Sequence, residues 1–275
     1  MADLTPGVAS ALRPLIRRIV APNAGLLTGS GTNTYLVGID EVAVIDPGPD
    51  DAGHVEAIVG CGGDRIRWIL VTHTHRDHWE AAAALAARTG AEVLGFRAGG
   101  GFEPDRQIGD GDTLEGTEFR LVALHTPGHA SDHLCYLMED DRVLFSGDHL
   151  IGGSSVVIAP PDGDMAAYLR SLERLQTIRP PLRGIAPGHG DVIDDPKRAL
   201  AEYLRHRHER EAAILAALQG GATTVDQIVA EVYTDVPVHL HPAARQSVHA
   251  HLIKLVAEHR VAGAGVDGTW RPIAA

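Results

Sequence analysis

The chain of 275 residues contains little cysteine, few aromatic residues and no long apolar run. Its two cysteines, Cys61 and Cys135, stand far apart, which excludes a disulfide framework and a cysteine-based zinc motif and favours a reducing, cytoplasmic compartment. No apolar segment approaches the roughly 20 residues that span a bilayer. The first residues also lack the basic-then-apolar order of a secretion signal. We therefore expect no role at a membrane.

Basic residues are scarce relative to acidic ones. Lys and Arg number 24 against 36 Asp and Glu, which gives a formal net charge of -12. This balance opposes charge-driven binding to nucleic acid or to an anionic membrane surface. Histidine, by contrast, is abundant, because its 16 copies exceed the 4 Phe, 5 Tyr and 3 Trp together. Such an excess of imidazole groups calls for a chemical explanation.

Secondary-structure patterns predict a larger α+β domain over residues 1–195 and a small helical domain over 196–275. Short apolar strands bounded by Gly and Pro turns dominate the larger domain, with helices expected at 78–89 and 164–178. The expected strands cover 35–46 (a hairpin), 66–72, 91–96, 119–126, 133–146 (a second hairpin) and 184–187.

The small domain is predicted to contain helices and a closing hairpin. Asp195 and Pro196 are typical of a helix N-terminus, and Gly220 and Gly221 end that helix. Further helices are expected at about 224–233 and 242–260, followed by a hairpin in the Gly-containing tail. This order is winged-helix-like.

The strongest chemical signal is the run His73-Thr74-His75-Arg76-Asp77-His78, placed between a predicted strand and a predicted helix. Imidazole and carboxylate groups are the ligands that zinc accepts. Alternate residues of an extended segment point the same way, so His73 and His75 can share one ion. The turn into the helix redirects Asp77 and His78, which can then face a second ion.

Two ions need more ligands than this hexapeptide contains. Three further candidates follow predicted strands in Gly-containing turns: His129 in Thr-Pro-Gly-His, Asp148 in Phe-Ser-Gly-Asp and His189 in Ala-Pro-Gly-His. Side chains that leave different strands in this way can converge on one rim. His149, next to Asp148, is a weaker candidate for a general acid.

Together these motifs resemble the metallo-β-lactamase superfamily over residues 33–190. The resemblance implies a four-layer αββα sandwich with two zinc ions at one edge, or iron or manganese in their place. It implies that His73, His75 and His129 hold the first ion, that Asp77, His78 and His189 hold the second, and that Asp148 bridges them. It also implies that Asp46 supports the ligands from behind. Asn33 is expected either to line the pocket or to shape a turn.

Departures from the family pattern narrow the branch. Asp148 argues against a dedicated antibiotic-degrading enzyme, because classical metallo-β-lactamases do not use aspartate at that position. His75 argues against dioxygen chemistry of the flavodiiron kind, because flavodiiron proteins carry glutamate there. His189 follows Asp148 by only 41 positions, which excludes nucleases with a large inserted domain there. The segment 31–38 and the helical tail resemble the lactamase-beta-like branch, which includes endoribonucleases that act on single-stranded RNA.

The expected activity is hydrolysis by a hydroxide that bridges two metal ions, with Asp77 and Asp148 as catalytic residues. Single-stranded RNA is the leading expected substrate. A small thioester of the kind cleaved by glyoxalase II is the alternative, with weak β-lactam hydrolysis as a further one. Charge opposes the RNA interpretation, since residues 191–260 hold eight Lys or Arg against ten Asp or Glu. The small domain is alternatively expected to act as a lid or a homodimer contact.

Overall fold

The computed structural model describes residues 5–153 and 155–273. These residues divide into two compact units that alternate along the chain. The first unit continues to Thr126 and resumes over Asp132–Ser155 and Arg179–Pro196; the second takes Pro127–Ser131, Val156–Ile178 and the residues from Lys197 onwards. The domain boundary expected at residue 195 stays a prediction, since these units are not contiguous in sequence.

The first unit contains two β-sheets. Seven strands form the first sheet in chain order: β1 (Ser10–Arg13), β2 (Ile16–Val20), β3 (Asn33–Val37), β4 (Val42–Ile45), β5 (Ile66–Leu70), β6 (Glu92–Gly95) and β7 (Arg106–Gln107). Strands β1 to β4 pair antiparallel, and β4 to β7 pair parallel. Because β4 and β5 run in the same direction, the residues that follow them leave the sheet at one edge.

The second sheet has five strands: β8 (Thr113–Glu115), β9 (Arg120–His125), β10 (Leu134–Met138), β11 (Val143–Gly147) and β12 (Gly184–Pro187). Their order is β12-β11-β10-β9-β8, with only β11 and β12 parallel. The predicted hairpin over 133–146 is confirmed, because Tyr136 lies opposite Phe145 in the antiparallel pair of β10 and β11. The predicted strand at 184–187 is also confirmed.

Apolar side chains of the two sheets share one core. Ile45 and Leu70 of the first sheet belong to the same buried cluster as Tyr136 and Phe145 of the second. The Tyr35 ring contacts Phe145, with ring centroids 5.2 Å apart. Removing a side chain of this size from water stabilises the fold by roughly 1.5–3 kcal/mol. The sheets are therefore held face to face by hydrophobic burial.

Helices cover the other face of the first sheet. Helix α1 (Ala52–Gly62) begins at Asp51, whose carboxylate accepts a hydrogen bond from the backbone N–H of His54. Val55 and Ile58 of α1 pack with Val44 and Ile69 of the sheet. The structure has two helices, α2 (Arg76–Trp79) and α3 (Ala82–Thr89), where the sequence predicted one continuous helix over 78–89. The prediction of continuity is therefore wrong.

The division between α2 and α3 has a local cause. The backbone N–H of Ala81 donates to the carbonyl of Gly48 (3.1 Å) instead of to a helical carbonyl, and the N–H of Gly48 donates to the carbonyl of His78. The loop after β4 thereby holds the residues around His78.

Strands β1 and β2 were not predicted, because Arg17 and Arg18 interrupt the apolar pattern of β2.

The second unit is mainly helical. Its elements are α4 (Met165–Gln176), α5 (Pro196–Gln219, whose first residue ends the first unit), α6 (Val225–Val232), α7 (His241–Ala257) and a two-stranded hairpin of β13 (Val261–Gly263) and β14 (Trp270–Pro272). Thr224 and Gln227 form a reciprocal capping box at the start of α6. The core of the second unit contains Ile214, Ile228, Val248 and Trp270. These elements confirm the predicted helices and the closing hairpin.

Within the described residues, no helix is long and apolar enough to cross a membrane.

Candidate metal centre

Functional side chains follow four strands of the first unit at the point where each strand ends. Asp46 directly follows β4, and His73 follows β5 by three residues. Asp148 directly follows β11, and His189 follows β12 by two residues. Since β4 pairs parallel with β5 and β11 pairs parallel with β12, each sheet sends two of these residues out at one edge. This topology explains why residues distant in sequence meet.

The first cluster contains His73, His75 and Asp148. One ligand atom from each of these residues lies within 4.8 Å of the others. Nε2 of His73 is 2.9 Å from Nδ1 of His75. The His73 ring is buried, whereas the side chain of Asp148 retains 15% exposure. His75 is exposed, so the cluster opens towards solvent on the side of that imidazole.

The second cluster contains Asp77, His78 and His189, whose ligand atoms also lie within 4.8 Å of one another. Nε2 of His189 is 3.2 Å from Oδ2 of Asp77. Oδ1 of Asp148 lies 3.5 Å from Nε2 of His78 and 3.4 Å from Nε2 of His189. Asp148 thus belongs to the first cluster and also faces the second, the position of a bridging ligand.

Asp46 orients one histidine of each cluster. Its Oδ2 accepts hydrogen bonds from Nδ1 of His78 (2.8 Å) and from the hydroxyl of Thr72 (2.9 Å). Because that hydroxyl donates its only hydrogen to Asp46, it accepts from Nδ1 of His73 at 3.0 Å. Both rings are thereby fixed with Nδ1 protonated and Nε2 directed into the site. Hydrogen bonds of this kind orient histidine ligands in known metal sites.

The donor set fits divalent cations. With Nδ1 of His78 donating to Asp46, the lone pair on Nε2 faces the carboxylates of Asp148 and Asp77 at 3.5 and 3.7 Å. This buried nitrogen has no hydrogen-bond partner among the residues that the structure describes. Electron-rich atoms facing one another in this way are stable only with positive charge between them. A metal ion or a proton must supply that charge.

The pKa values of these side chains show the same demand for positive charge. Burial alone lowers the pKa of His78, but the charges of Asp46, Asp148 and Asp77 together raise it well above its ordinary value. Burial likewise lowers the pKa of His189, and the neighbouring carboxylates again raise it. For Asp77, burial raises the pKa, but His78 and His189 lower it to about 2. Asp77 is thus ionised throughout the neutral range.

Two glycines permit this close packing. Gly147, with φ of 46°, precedes Asp148, and a Cβ there would lie 2.7 Å from Oγ1 of Thr72. A Cβ at Gly188 would lie 2.8 Å from Cε1 of His78 and 2.9 Å from Oδ1 of Asp148. Real Cβ atoms do not approach other atoms so closely. A larger residue at Gly188 therefore displaces a predicted ligand, and one at Gly147 displaces Thr72, which contacts His73.

Asn33 holds the loop that carries His189. Its side-chain amide donates to the carbonyls of Pro187 and Gly190, both at 2.9 Å, and its backbone N–H donates to the carbonyl of Gly188. Asn33 is fully buried. Of the two expectations for this residue, the contacts favour the one in which it shapes a turn.

Two further residues were predicted to be functional, His129 and His149. His129 belongs to the second unit, where its Nδ1 is 2.8 Å from the carbonyl oxygen of Val157. A carbonyl accepts only, so the ring carries its hydrogen on Nδ1 and the lone pair on Nε2. Its role as a ligand stays a prediction. His149, the candidate general acid, is fully buried.

Sequence reasoning missed His133. Nε2 of this buried ring accepts a hydrogen bond from the backbone N–H of Asp148 (3.1 Å), and Nδ1 is 3.0 Å from the hydroxyl of Thr126. The His133 ring also lies beside His73, with centroids 5.0 Å apart. Its sequence signal was the second histidine of His129-Ala130-Ser131-Asp132-His133, four residues after a predicted ligand.

Comparison with known proteins agrees with the fold and the motifs. Residues 27–189 match the family model described as the metallo-beta-lactamase superfamily. The chain belongs to this superfamily. Residues 224–270 match a second model, the beta-lactamase associated winged helix domain, which confirms the winged-helix expectation. The predicted fold class, a mixed α+β metallo-β-lactamase fold with a helical winged-helix domain, is confirmed as well.

Relatives of this superfamily member cover most of its length. The Lactamase-like protein aptB of Emericella nidulans is 33% identical, with 89% of this chain and 82% of the relative covered. The Atrochrysone carboxyl ACP thioesterase of Aspergillus chevalieri is 32% identical, with 91% and 84% covered. The crystal structure of a beta-lactamase domain protein from Burkholderia ambifaria has a TM-score of 0.82 at 21% identity, with 99% and 96% covered. Together these relatives indicate a hydrolase.

Proposed function

We propose that this protein is a hydrolase that depends on two divalent cations. The proposed cation is zinc, and the proposed substrate is a small thioester. The observation that carries the proposal is the position of Asp148 between the clusters of His73 and His78. Two cations held in this way lower the pKa of water towards neutrality and polarise the oxygen of an electrophile. His73, His75, His129 and Asp148 would hold one cation, and Asp77, His78, His189 and Asp148 the other.

The protein's own side chains supply orientation and a proton acceptor. The carboxylate of Asp77, ionised because its pKa is about 2, can accept a hydrogen bond from the attacking water and fix its direction. Asp46 keeps the histidines in the tautomer that presents Nε2. The Asp148 side chain retains 15% exposure, so substrate can reach the carboxylate shared by both clusters.

Leaving-group chemistry favours a thioester over RNA. A thiol has a pKa of about 8.5, so a thiolate leaves without prior protonation, whereas a ribose oxygen needs an acid. The acid considered from the sequence, His149, is fully buried. The name of the Aspergillus chevalieri relative also supports a thioester, since that protein is called a carboxyl ACP thioesterase.

Single-stranded RNA is the second candidate, favoured by the winged-helix match, since winged helices commonly bind nucleic acid. Ion pairs in the second unit oppose it. Arg245 pairs with Asp226 and Asp267, and Lys254 pairs with Glu211 and Glu258. Cations neutralised in this way contribute little to phosphate binding.

Two basic residues of α5 are also paired. Arg198 pairs with Glu202 and Arg205 pairs with Glu209, each one turn away. Such pairs are typical of a solvated helix surface with local ion pairs.

A substrate panel tests the proposal. Wild type, Asp148→Asn and the exposed turn variant Asp140→Asn are each offered an acyl-pantetheine thioester, a labelled single-stranded RNA and a cephalosporin. We expect wild type and Asp140→Asn to cleave the thioester, and Asp148→Asn to lose more than about 100-fold in kcat/KM. Cleavage of RNA by wild type with the thioester left intact would replace the proposal by the second candidate. Equal activity in Asp148→Asn would refute the metal-dependent mechanism.

A further inference from the structure

The first unit contains a cavity of about 330 Å³ that none of the predicted metal ligands lines. Its walls come from β1, β2, β11, β12 and the loop after β12. Apolar side chains form much of the wall, including Leu12, Ile16, Val143 and Val192. Four charged residues complete the lining, and only one of them is buried: Arg18, beside the less buried Arg13, Asp191 and Asp194.

Arg18 is 5% exposed. Its Nε and Nη1 atoms are buried and have no hydrogen-bond partner among residues 5–153 and 155–273. Within the same residues, no carboxylate forms an ion pair with it. The neighbour on the strand differs: Arg17 donates to the carbonyls of Gly38 and Cys61. Two of the three guanidinium nitrogens of Arg18 are therefore buried and left without a hydrogen-bond partner by the described chain.

A buried arginine without a counter-ion is unfavourable and cannot relieve itself chemically. A buried lysine or histidine can lose its proton, whereas a guanidinium stays charged in proteins. Leaving such a charge unpaired is strongly unfavourable. A bound anion would remove that cost, and the cavity gives it room beside the guanidinium.

The walls and the mouth restrict the anion to one class. Leu12, Ile16 and Val143 would contact an alkyl chain. Asp191 and Asp194, which also line the cavity, are exposed and would repel a dianion or a polyanion. A monoanion with a short apolar chain satisfies both conditions. We propose that this cavity binds a short-chain carboxylate whose carboxyl group pairs with Arg18.

Butyrate is the probe for the experiment, with acetate and inorganic phosphate as comparisons. Calorimetry is carried out on the metal-loaded protein as wild type, Arg18→Gln, Arg17→Gln and Asp148→Asn. We expect wild type to bind one butyrate and to bind acetate more weakly, since acetate lacks the alkyl chain. Arg18→Gln should weaken butyrate binding at least tenfold, whereas Arg17→Gln, on the same strand but outside the cavity lining, should change it less than twofold.

The Asp148→Asn variant separates this site from the metal centre. Retention of butyrate binding in that variant supports the proposal, and loss there with retention in Arg18→Gln assigns the carboxylate to the metal centre and overturns it. Binding of phosphate without butyrate, equal loss in both arginine variants, or no butyrate binding in wild type also overturns it.

A second measurement avoids any dependence on the folding of Arg18→Gln. In wild-type protein labelled with ¹⁵N-arginine, the Nε–Hε resonance of Arg18 should shift progressively as butyrate is added, and that of Arg17 should not. An Arg18 resonance that stays unchanged at saturating butyrate would contradict the proposal.

Discussion

The Oδ1 atom of Asp148 lies 3.5 Å from Nε2 of His78, although 69 residues separate them in sequence and they follow strands of different sheets. The same carboxylate lies in the cluster of His73 and His75. One side chain therefore connects both predicted cation sites. Its position depends on the two-sheet packing, because β5 and β11 must end at a common edge for these residues to meet.

Replacement of Asp46 by Asn tests how much the orienting carboxylate contributes. Asp46 has φ of 50°, a conformation that Asn tolerates better than Ala. Asp46→Asn should therefore keep the backbone and lose an acceptor for His78 and Thr72. We expect metal affinity to fall by about 10- to 100-fold, measured by competition with a chelator.

The Asp46→Ala variant is the matched comparison. It removes these hydrogen bonds and also the one that the backbone N–H of Thr72 donates to Oδ1 (2.8 Å), which Asn can retain. It also adds backbone strain of about 1–3 kcal/mol, so it should unfold more easily than Asp46→Asn in a urea titration. Equal metal affinity in Asp46→Asn and wild type would show that Asp46 is only a turn residue.

Gly188→Ala tests the close packing at the centre. The added Cβ would collide with His78 and Asp148, so we expect loss of metal and of hydrolysis, with destabilisation of about 1–3 kcal/mol. Gly60→Ala in α1 is the control, because a Cβ there meets no atom within 4 Å and alanine favours a helix. Metal content should distinguish the two variants. Full metal content in Gly188→Ala would mean that the loop adjusts freely.

The second unit should lose stability in acid because of Glu211. Burial raises the pKa of Glu211, but hydrogen bonds from His251 and Lys254 lower it to about 2. A depressed folded-state pKa means that the stabilisation is complete above about 4.5 and disappears as the pH falls towards 2. The shift corresponds to about 3 kcal/mol.

Glu211→Gln should remove this part of the acid dependence, measured as free energy of unfolding between pH 5 and 2.5. The exposed variant Glu231→Gln serves as its control. An unchanged pH profile in Glu211→Gln would contradict the assigned role of the ion pairs with Lys254 and Arg260.

Local signals in the sequence predicted much of this arrangement. The sequence correctly predicted that Asp148 and His189 follow β11 and β12. The signals used were a ligand-type residue, a glycine turn and the end of an apolar strand, all of which depend only on neighbouring residues. The N-terminal strands were missed, since Arg18 is a charged residue on the buried side of β2. His133 was missed because its role is a contact with the backbone of Asp148, which only tertiary packing creates.

Metal stoichiometry is the most direct test of the central claim that Asp148 joins two cation sites. Elemental analysis is carried out on wild type, Asp148→Asn and Asp140→Asn after loading with zinc and gel filtration. We predict two zinc ions per chain in wild type and Asp140→Asn, and a clear loss in Asp148→Asn together with its hydrolytic activity. Two tightly bound ions per chain and full activity in Asp148→Asn would contradict the account.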